Sequence, residues 1–404
     1  MGWFLASIKV GESCRAPFAL PAGLDAVIVL HERILRQGLD SPRNEEVELS
    51  AKFTFEQNWR PLIWNRNGKR ECAFDIEGWL ELMTSEAYRP EPRRPLASYL
   101  PLHYHAFPKG FRKFASRSYT RFFSRTGRHN FPVSLLNVGT ELVLKFASCE
   151  NPNLSAERSA ILSHDIESEE GFRFVPKIAE MEEKSGFRAV WNIVPKFYRV
   201  DRCLLHDLKK RGHEIGLHGI WHNHRETFCH PSRLRQEFGA LRNFLDEFEI
   251  AGYRSPSWYR TDQLFRVISE YFAYDMSSLD CDLLCPGGPG GVGIHRPFRD
   301  KYRLLHIPCN IPFEAPCFLG IEPVSLFDYW RPKLEFIANT NGLVVINTHP
   351  EREYLASSAM LEGYRRLLSS LREKSFLPLL PKALVSKKIL PQGDSPEKIF
   401  RSSL

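Results

Sequence analysis

The stretch AILSHDIE at residues 160–167 decides how this sequence folds. Its first half is apolar, as in a buried strand, and its second half ends abruptly in polar residues. Further strand candidates lie at 187–194, 213–218, 251–256, 272–277, 304–311 and 343–349. Helical stretches at 174–186, 204–212 and 231–248 lie between them, bounded by Gly186, Gly212 and Pro231. This alternation predicts an α/β fold with a parallel sheet or barrel over about residues 155–378.

Polar residues follow several of these apolar strands. They are Ser163, His164, Asp165 and Glu167, then His218 and His222, then Arg254, and finally Thr348 and His349. In β/α barrels the active site lies at the carboxyl ends of the strands. We therefore expect these side chains to meet at one face.

The spacing within two of these groups is typical of metal chemistry. His218 and His222 are four residues apart, so both imidazoles can face one metal ion; a hydrogen-bonded structural pair is the alternative. Asp165 and Glu167 flank Ile166, and in an extended chain residues i and i+2 point to the same side. One carboxylate can then bind a metal while the other acts as a base, and the alternative is two surface acids.

Four motifs together resemble a known family. SHDIE (163–167), HEIGLHGIWH (213–222), YRSPSW (253–258) and INTHPE (346–351) are similar, in order and spacing, to the polysaccharide deacetylase (NodB-homology) family of metal-dependent carbohydrate esterases. The resemblance covers about residues 157–375 and is closest to the branch with D-x-D in its first motif. It implies a distorted seven-stranded, TIM-like β/α barrel.

The resemblance also implies roles for individual residues. Asp165 matches the catalytic base, His349 the general acid, and Arg254 the residue that keeps the base ionised. Glu167, His218 and His222 match the metal ligands, with Zn²⁺ the expected ion. The acid that partners His349 has three candidates, which are Asp275, Asp280 and Asp282. Trp221, Trp258 and Tyr259 are candidates for stacking on sugar rings, with core packing as the alternative.

Two positions depart from the family's pattern. Glu167 stands where the family usually has Asp and is one methylene longer. Gly219 stands where a Ser or Thr usually follows the first histidine, so a hydroxyl that helps to order the loop is missing.

The function implied is hydrolysis by a metal-dependent enzyme. We expect removal of the N-acetyl group from an N-acetylated sugar, oligosaccharide or glycan precursor. One alternative is hydrolysis of a non-sugar amide or cyclic ureide on the same fold. Another is a catalytically inactive module that binds glycan.

The remaining chain carries no motif of known chemistry. Residues 1–154 are expected to form an N-terminal accessory α+β domain of unknown fold, with apolar runs at 24–30, 47–55 and 140–147 as strands or other buried segments. Residues 379–404 lack periodicity and are expected to be a loose tail.

One segment of the N-terminal part, residues 107–129, is strongly basic. It contains seven Lys or Arg residues and no acid, which equals the net charge of +7 of the whole chain. A solvated basic face, an anionic membrane surface or lipid-linked ligand, and single-stranded nucleic acid are the alternatives. We do not expect nucleic acid as a partner.

Composition sets the broad class. The chain is 43% hydrophobic and 25% charged, which is typical of a globular protein, and no apolar run is long enough for a membrane helix. The first residues are a poor match to a signal peptide. Nine cysteines at irregular spacing favour reduced thiols and a cytoplasmic location, with peripheral attachment at the inner membrane face as an alternative. A metal site on Cys281 and Cys285 is the alternative for two of these cysteines.

Overall fold

The computed structural model describes residues 3–10, 26–31, 35, 42–43, 46–53, 58–88, 94, 135–146, 158–223, 225–281 and 291–386. The basic segment 107–129, Asp282 and Cys285 lie outside these ranges, so the hypotheses about them stay predictions. No helix within the described ranges combines the length and the apolar character needed to span a membrane.

The N-terminal part contains an antiparallel sheet of five strands. They are β1 (Trp3–Val10), β2 (Ala26–His31), β3 (Val47–Phe53), β4 (Arg60–Arg66) and β5 (Lys69–Cys72), in the spatial order β2-β1-β3-β4-β5. Alternate residues such as Ala6 and Ile8 are buried, as the period of two in a strand requires. Helices α1 (Ile76–Thr84) and α2 (Leu135–Phe146) complete this part, and Val138 and Leu142 of α2 join its core.

Of the three apolar runs predicted in the N-terminal part to be strands or other buried segments, two lie in strands and one lies in a helix. Within the runs at 24–30 and 47–55, the described residues 26–30 and 47–53 lie in β2 and β3, as expected for strands. Residues 140–146 of the third run are mostly buried but helical, and they form the second half of α2. Its apolar residues recur on one helical face, and Val138, Leu142 and Val143 pack against the sheet.

The second part of the chain is built on a curled, mainly parallel sheet. Its strands are β6 (Ser159–Ile166), β7 (Ala189–Ile193), β8 (Glu214–Leu217), β9 (Gly252–Tyr253), β10 (Tyr274–Asp275), β11 (Phe298–Arg299), β12 (Leu305–His306), β13 (Ile311–Pro312), β14 (Leu343–Thr348) and β15 (Leu377–Pro378). The order is β11-β12-β10-β9-β8-β7-β6-β14-β13, with β15 beside β6. Each of the predicted strands is present, which confirms the α/β class.

One short stretch joins the two ends of this sheet. β12 pairs with β10 at one end, and β13 pairs with β14 at the other. Both belong to the continuous run 305–312. The first part of this run pairs with β10 and its last part pairs with β14. The run therefore closes the curled sheet into a distorted barrel.

Helices cover the outside of the barrel. They are α3 (Val175–Lys184), α4 (Arg202–Lys210), α5 (Pro231–Ala240), α6 (Arg242–Phe248), α7 (Asp262–Ile268), α8 (Leu326–Asn339) and α9 (Ser358–Glu373). The predicted helices at 174–186 and 204–212 correspond to α3 and α4, and the predicted helix at 231–248 is divided between α5 and α6. Their apolar faces and the strands share one core that includes Trp191, Phe238 and Trp330.

Buried polar contacts connect helix α2 to the barrel. The Lys333 ammonium on α8 donates to Asp280 and to Asn137 on α2, the latter at 2.8 Å. Arg296 donates to Glu141 on the same helix at 3.2 Å. Lys333, Asp280, Asn137 and Glu141 are all buried, so α2 is packed tightly against the barrel.

The predicted loose tail is partly wrong. The amide of Leu379 donates to the carbonyl of Ala160 at 2.9 Å, continuing the pairing of β15 with β6. Leu384 is 4% exposed and packs in the core beneath the sheet. Residues 379–386 therefore pack on the barrel through Leu379, Leu384 and Val385, and residues 387–404 lie outside the described part of the chain.

Candidate metal centre and active site

Neighbouring strands deliver the predicted residues to one edge of the sheet. Asp165 is near the end of β6 and Glu167 lies just beyond it. His218 is the first residue after β8, Arg254 is the first after β9, and His349 is the first after β14. Because the strands are parallel, their carboxyl ends meet at one face, as the sequence predicted.

Glu167, His218 and His222 form the candidate metal centre. One ligand atom from each side chain lies within 4.8 Å of the other two. Glu167 Oε1 is 2.8 Å from His222 Nε2 and 3.4 Å from His218 Nε2. Within the described part of the chain, no other group of three such side chains is this close.

The orientation of His218 fits metal binding. Its Nδ1 lies 3.2 Å from the backbone carbonyl of Arg254, to which it can donate its proton. That tautomer leaves the lone pair of Nε2 directed at Glu167. Metal-binding histidines typically donate their other ring N–H in this way. Two imidazoles and one carboxylate are also a common catalytic zinc set.

Asp165 lies beside this centre in a dense hydrogen-bond network. Its Oδ1 accepts from Arg254 Nη1 at 3.0 Å and from Asn192 Nδ2 at 2.9 Å. Its Oδ2 accepts from Asn347 Nδ2 at 3.1 Å. Asp165 is 2% exposed, so these donors hold the carboxylate in one orientation.

The charge of Arg254 keeps Asp165 ionised. Burial alone would raise the pKa of Asp165, but the nearby Arg254 guanidinium and the His218 imidazole outweigh that effect and lower the pKa to about 2. Arg254 is itself fixed, because it donates to Ser163 Oγ at 2.9 Å and to the carbonyl of Met276 at 3.1 Å.

His349 lies beside Glu167 of the candidate metal centre. Its Nε2 is 3.5 Å from Glu167 Oε1, and its Nδ1 is 3.4 Å from Glu314 Oε2. The His349 backbone N–H donates to Glu314 Oε1 at 2.9 Å. Burial alone would lower the pKa of His349, but the carboxylates of Glu167 and Glu314 outweigh it and raise the pKa well above the usual value.

The expected acid partner of His349 is corrected by these contacts. Glu314, which follows β13, takes that place instead of Asp275 or Asp280. Asp275 is paired with His306 at 3.1 Å, and Asp280 is paired with Lys333. Each of the two aspartates is paired with a cation elsewhere in the barrel. Glu314 can reach His349 because β13, which precedes Glu314, is the neighbour of β14, which precedes His349.

The three candidate stacking aromatics lie around the same face. The Trp258 ring packs under the Arg254 guanidinium at 5.1 Å, and the Trp221 ring is near Lys196 and Arg233 at 5.8 and 5.7 Å. Tyr259 packs edge-on against Phe228. All three are partly exposed, so they can contact a ligand as well as the protein. Their role in binding sugar stays a prediction.

Several residues of this site were missed by the sequence analysis. They are Asn192, Asn347, Glu226, Glu314 and Glu351. Glu351 Oε1 accepts from the Glu167 N–H at 2.9 Å, which fixes the backbone of the candidate ligand. Glu351 was quoted within INTHPE without a role. The two asparagines occupy strand positions next to polar neighbours, and that pattern is the one signal that could have indicated them.

Comparisons with known proteins were made by sequence and by structure. No family model and no curated protein matches the chain. A solved structure described as a polysaccharide deacetylase from Mycobacterium smegmatis is 15% identical, with a TM-score of 0.48, over 60% of this chain and 95% of that chain. One described in the same terms from Pseudomonas aeruginosa PAO1 is 12% identical, with a TM-score of 0.47, over 58% and 91%.

An allantoinase of known structure is also similar. It is 12% identical, with a TM-score of 0.47, over 63% of this chain and 96% of that chain. The two proteins described as polysaccharide deacetylases carry the name of the family that the sequence motifs resemble.

Proposed function

We propose that this chain is a divalent-metal-dependent hydrolase that removes the N-acetyl group from an N-acetylated sugar, oligosaccharide or glycan precursor. One observation supports this above all others. The Glu167–His218–His222 group is close to two further side chains, the buried Asp165, held by Arg254, and His349, held by Glu314. Amide hydrolysis at neutral pH is helped by a base that takes a proton from water and an acid that gives one to the leaving amine, and the side chains near this group can fill both roles.

Asp165 is the proposed base. Its low pKa keeps it deprotonated at neutral pH, so it can accept the proton of the attacking water. Asn192, Asn347 and Arg254 hold its carboxylate in place. Arg254 offsets the cost of keeping a buried negative charge.

His349 is the proposed general acid. A protonated imidazole can deliver a proton to the departing amine, which is otherwise a poor leaving group. Glu314 lies at Nδ1, so Nε2 faces the candidate metal centre with its proton available. The Glu314 carboxylate also stabilises the positive charge on the ring.

Glu167, His218 and His222 are the proposed metal ligands. The bound ion would supply Lewis-acid polarisation of the amide carbonyl and of the attacking water. We infer Zn²⁺ because nitrogen and carboxylate donors in a set of three suit catalytic zinc, which keeps a further position open. The three side chains approach each other from two separate loops, so binding depends on both loops keeping their conformation.

The test combines metal analysis with product detection. The purified full-length chain is stripped with a chelator, reloaded with Zn²⁺ or Co²⁺, and assayed for acetate release from N-acetylglucosamine oligomers. We expect one divalent ion per chain and acetate release that requires it. The Glu167→Ala variant is expected to lose both, while Glu237→Ala, on the exposed Lys196 ion pair, is expected to keep both.

Other outcomes distinguish the alternatives. Ammonia or ring-opened product from a cyclic ureide, with no acetate from any N-acetylated sugar, would replace the proposal by ureide hydrolysis. A chain that binds no divalent ion, yet binds glycan, would identify an inactive binding module instead.

A further inference from the structure

We propose that Glu226 is a positioning residue that orders the loop carrying His218 and His222. This inference rests on the proposed function, because it assumes that the two imidazoles bind a divalent ion. Glu226 begins the short helical turn Glu226–Phe228 that follows the second histidine. Its position in the sequence, four residues after His222, gives no indication that its side chain folds back into the loop.

The Glu226 carboxylate is bonded to the backbone between the two histidines. Oε1 accepts from the N–H of Ile220 at 2.6 Å and from the N–H of Trp221 at 2.8 Å. Oε2 accepts from the hydroxyl of Tyr253 at 3.3 Å. Glu226 is 2% exposed. A buried carboxylate that binds two successive amides fixes both peptide planes, and hydrogen bonds to a charged acceptor are stronger than neutral ones.

Gly219 makes room for this carboxylate. A Cβ atom at residue 219 would lie 2.8 Å from Glu226 Oε2 and 2.7 Å from the Pro256 ring. The backbone of Gly219 has φ +66°, a conformation that favours glycine. The missing side chain at this position is therefore a requirement of the loop, since a side chain there would push the carboxylate away from the amides.

The backbone of the loop that carries the two histidines includes an uncommon conformation, which contacts from outside the loop must stabilise. His222 has φ 52°, which is uncommon for a residue with a side chain. Conformations of this kind persist only where the surrounding structure holds them. Glu226 holds the two residues immediately before His222, so it acts on the direction in which that imidazole projects.

The test measures the binding of Co²⁺ alone to the full-length, metal-stripped chain, followed through the visible absorption of the ion. Glu226→Ala is expected to raise the dissociation constant by about 10- to 100-fold, the usual effect of losing a group that orients a ligand. Glu226→Gln keeps a carbonyl acceptor and is expected to recover part of the affinity. The matched control, Glu247→Ala, removes a half-buried glutamate that is paired with Arg202 on the outside of the barrel, and it is expected to bind Co²⁺ as the unaltered chain does.

Two further measurements separate positioning from general stability. Amide hydrogen exchange in the metal-free protein should accelerate at Ile220 and Trp221 in Glu226→Ala, with little change in the strands of the barrel. Gly219→Ser should weaken Co²⁺ binding with Glu226 still present. In the double variant, which carries both Gly219→Ser and Glu226→Ala, the dissociation constant for Co²⁺ should rise by less than the product of the two single-variant increases. The reason is that both changes break the same contact.

The outcomes are distinct. Unaltered Co²⁺ affinity in Glu226→Ala, or faster exchange throughout the barrel in both Glu226→Gln and Gly219→Ser, would overturn the inference. Failure of the unaltered chain to bind Co²⁺ would overturn the proposed function itself, and the inference with it. If Glu226→Ala does not fold, the Glu226→Gln and Gly219→Ser variants decide the question.

Discussion

Arg254 Nη1 donates to Asp165 Oδ1 at 3.0 Å, and both side chains are almost completely buried, at 0% and 2% exposure. A buried ion pair of this kind is costly to break, because removing one partner leaves the other charge without compensation. The pair lies directly beside the candidate metal centre, since His218 Nδ1 donates to the Arg254 carbonyl at 3.2 Å. The proposed base and a proposed metal ligand are thus held by the same residue.

Asp165→Asn is expected to reduce acetate release by about 10²- to 10⁴-fold, because the amide cannot accept the proton of water. Metal content should stay at the level of the unaltered chain, since Asp165 is not among the three proposed ligands. Asp207→Asn, which alters an exposed ion pair on α4, is the control and should keep full activity. Full activity in Asp165→Asn would show that the role is assigned to the wrong carboxylate.

Glu314→Gln is expected to lower kcat about 10- to 100-fold. One hydrogen bond to a charged group is worth roughly 1.5–3 kcal/mol, and that amount in the barrier corresponds to this range. Steady-state kinetics should show a smaller change in KM, because Glu314 contacts His349 and not the open side of the site. Glu322→Gln, on an exposed residue of the same connection, is the control. An unchanged kcat would argue against His349 as the acid.

The buried His306 makes stability depend on pH. Burial alone would lower its pKa, but hydrogen bonds to Asp275 at 3.1 Å and Asp300 at 3.0 Å outweigh this and raise the pKa to about 9. Since the folded pKa exceeds the unfolded value of about 6.5, the stabilisation is complete below about pH 6.5. It is lost as the pH rises through about 9.

Urea unfolding between pH 6 and pH 10 tests this prediction. The free energy of unfolding of the unaltered chain should fall relative to that of His306→Gln by roughly 3 kcal/mol over this range. His206→Gln changes an exposed histidine on α4 and should follow the curve of the unaltered chain. Parallel curves for the unaltered chain and His306→Gln would show that His306 is not charged in the folded protein.

Lys333→Met is expected to destabilise the protein by about 3–5 kcal/mol, since it leaves Asp280 buried without its partner. The pKa of Asp280 is raised by burial to about 6 even with Lys333 present. The double variant Lys333→Met with Asp280→Leu should recover part of the loss, because it removes the uncompensated buried charge but not the hydrogen bond that Lys333 gives to Asn137. Urea unfolding at pH 7 measures both, and equal losses in the single and double variants would contradict the prediction.

The barrel was predictable because its signals are local. A run such as residues 160–167 is apolar up to the point where the strand ends, and this pattern repeats along the chain. The same regularity placed Asp165, His218 and Arg254 at one face, since parallel strands end together. In the N-terminal part, β2 and β3 were predicted on the same grounds, whereas the apolar run in α2 is too short for periodicity to separate helix from strand.

The supporting residues were not predictable because their partners are distant in sequence. Glu314 lies 35 residues before His349 and follows a strand of two residues. Asn347 and Asn192 reach Asp165 only through the pairing of three strands. Aspartates with more conspicuous positions, such as Asp275 and Asp280, were chosen instead. Nothing local indicated that His306 and Lys333 already neutralise them.

The run 305–312 that closes the barrel has a consequence for proton delivery. Two residues after it comes Glu314, which holds both the backbone and the ring of His349. Separation of β13 from β14 is therefore expected to draw Glu314 away from His349. The same stretch of chain both completes the barrel and supports the proposed proton donor.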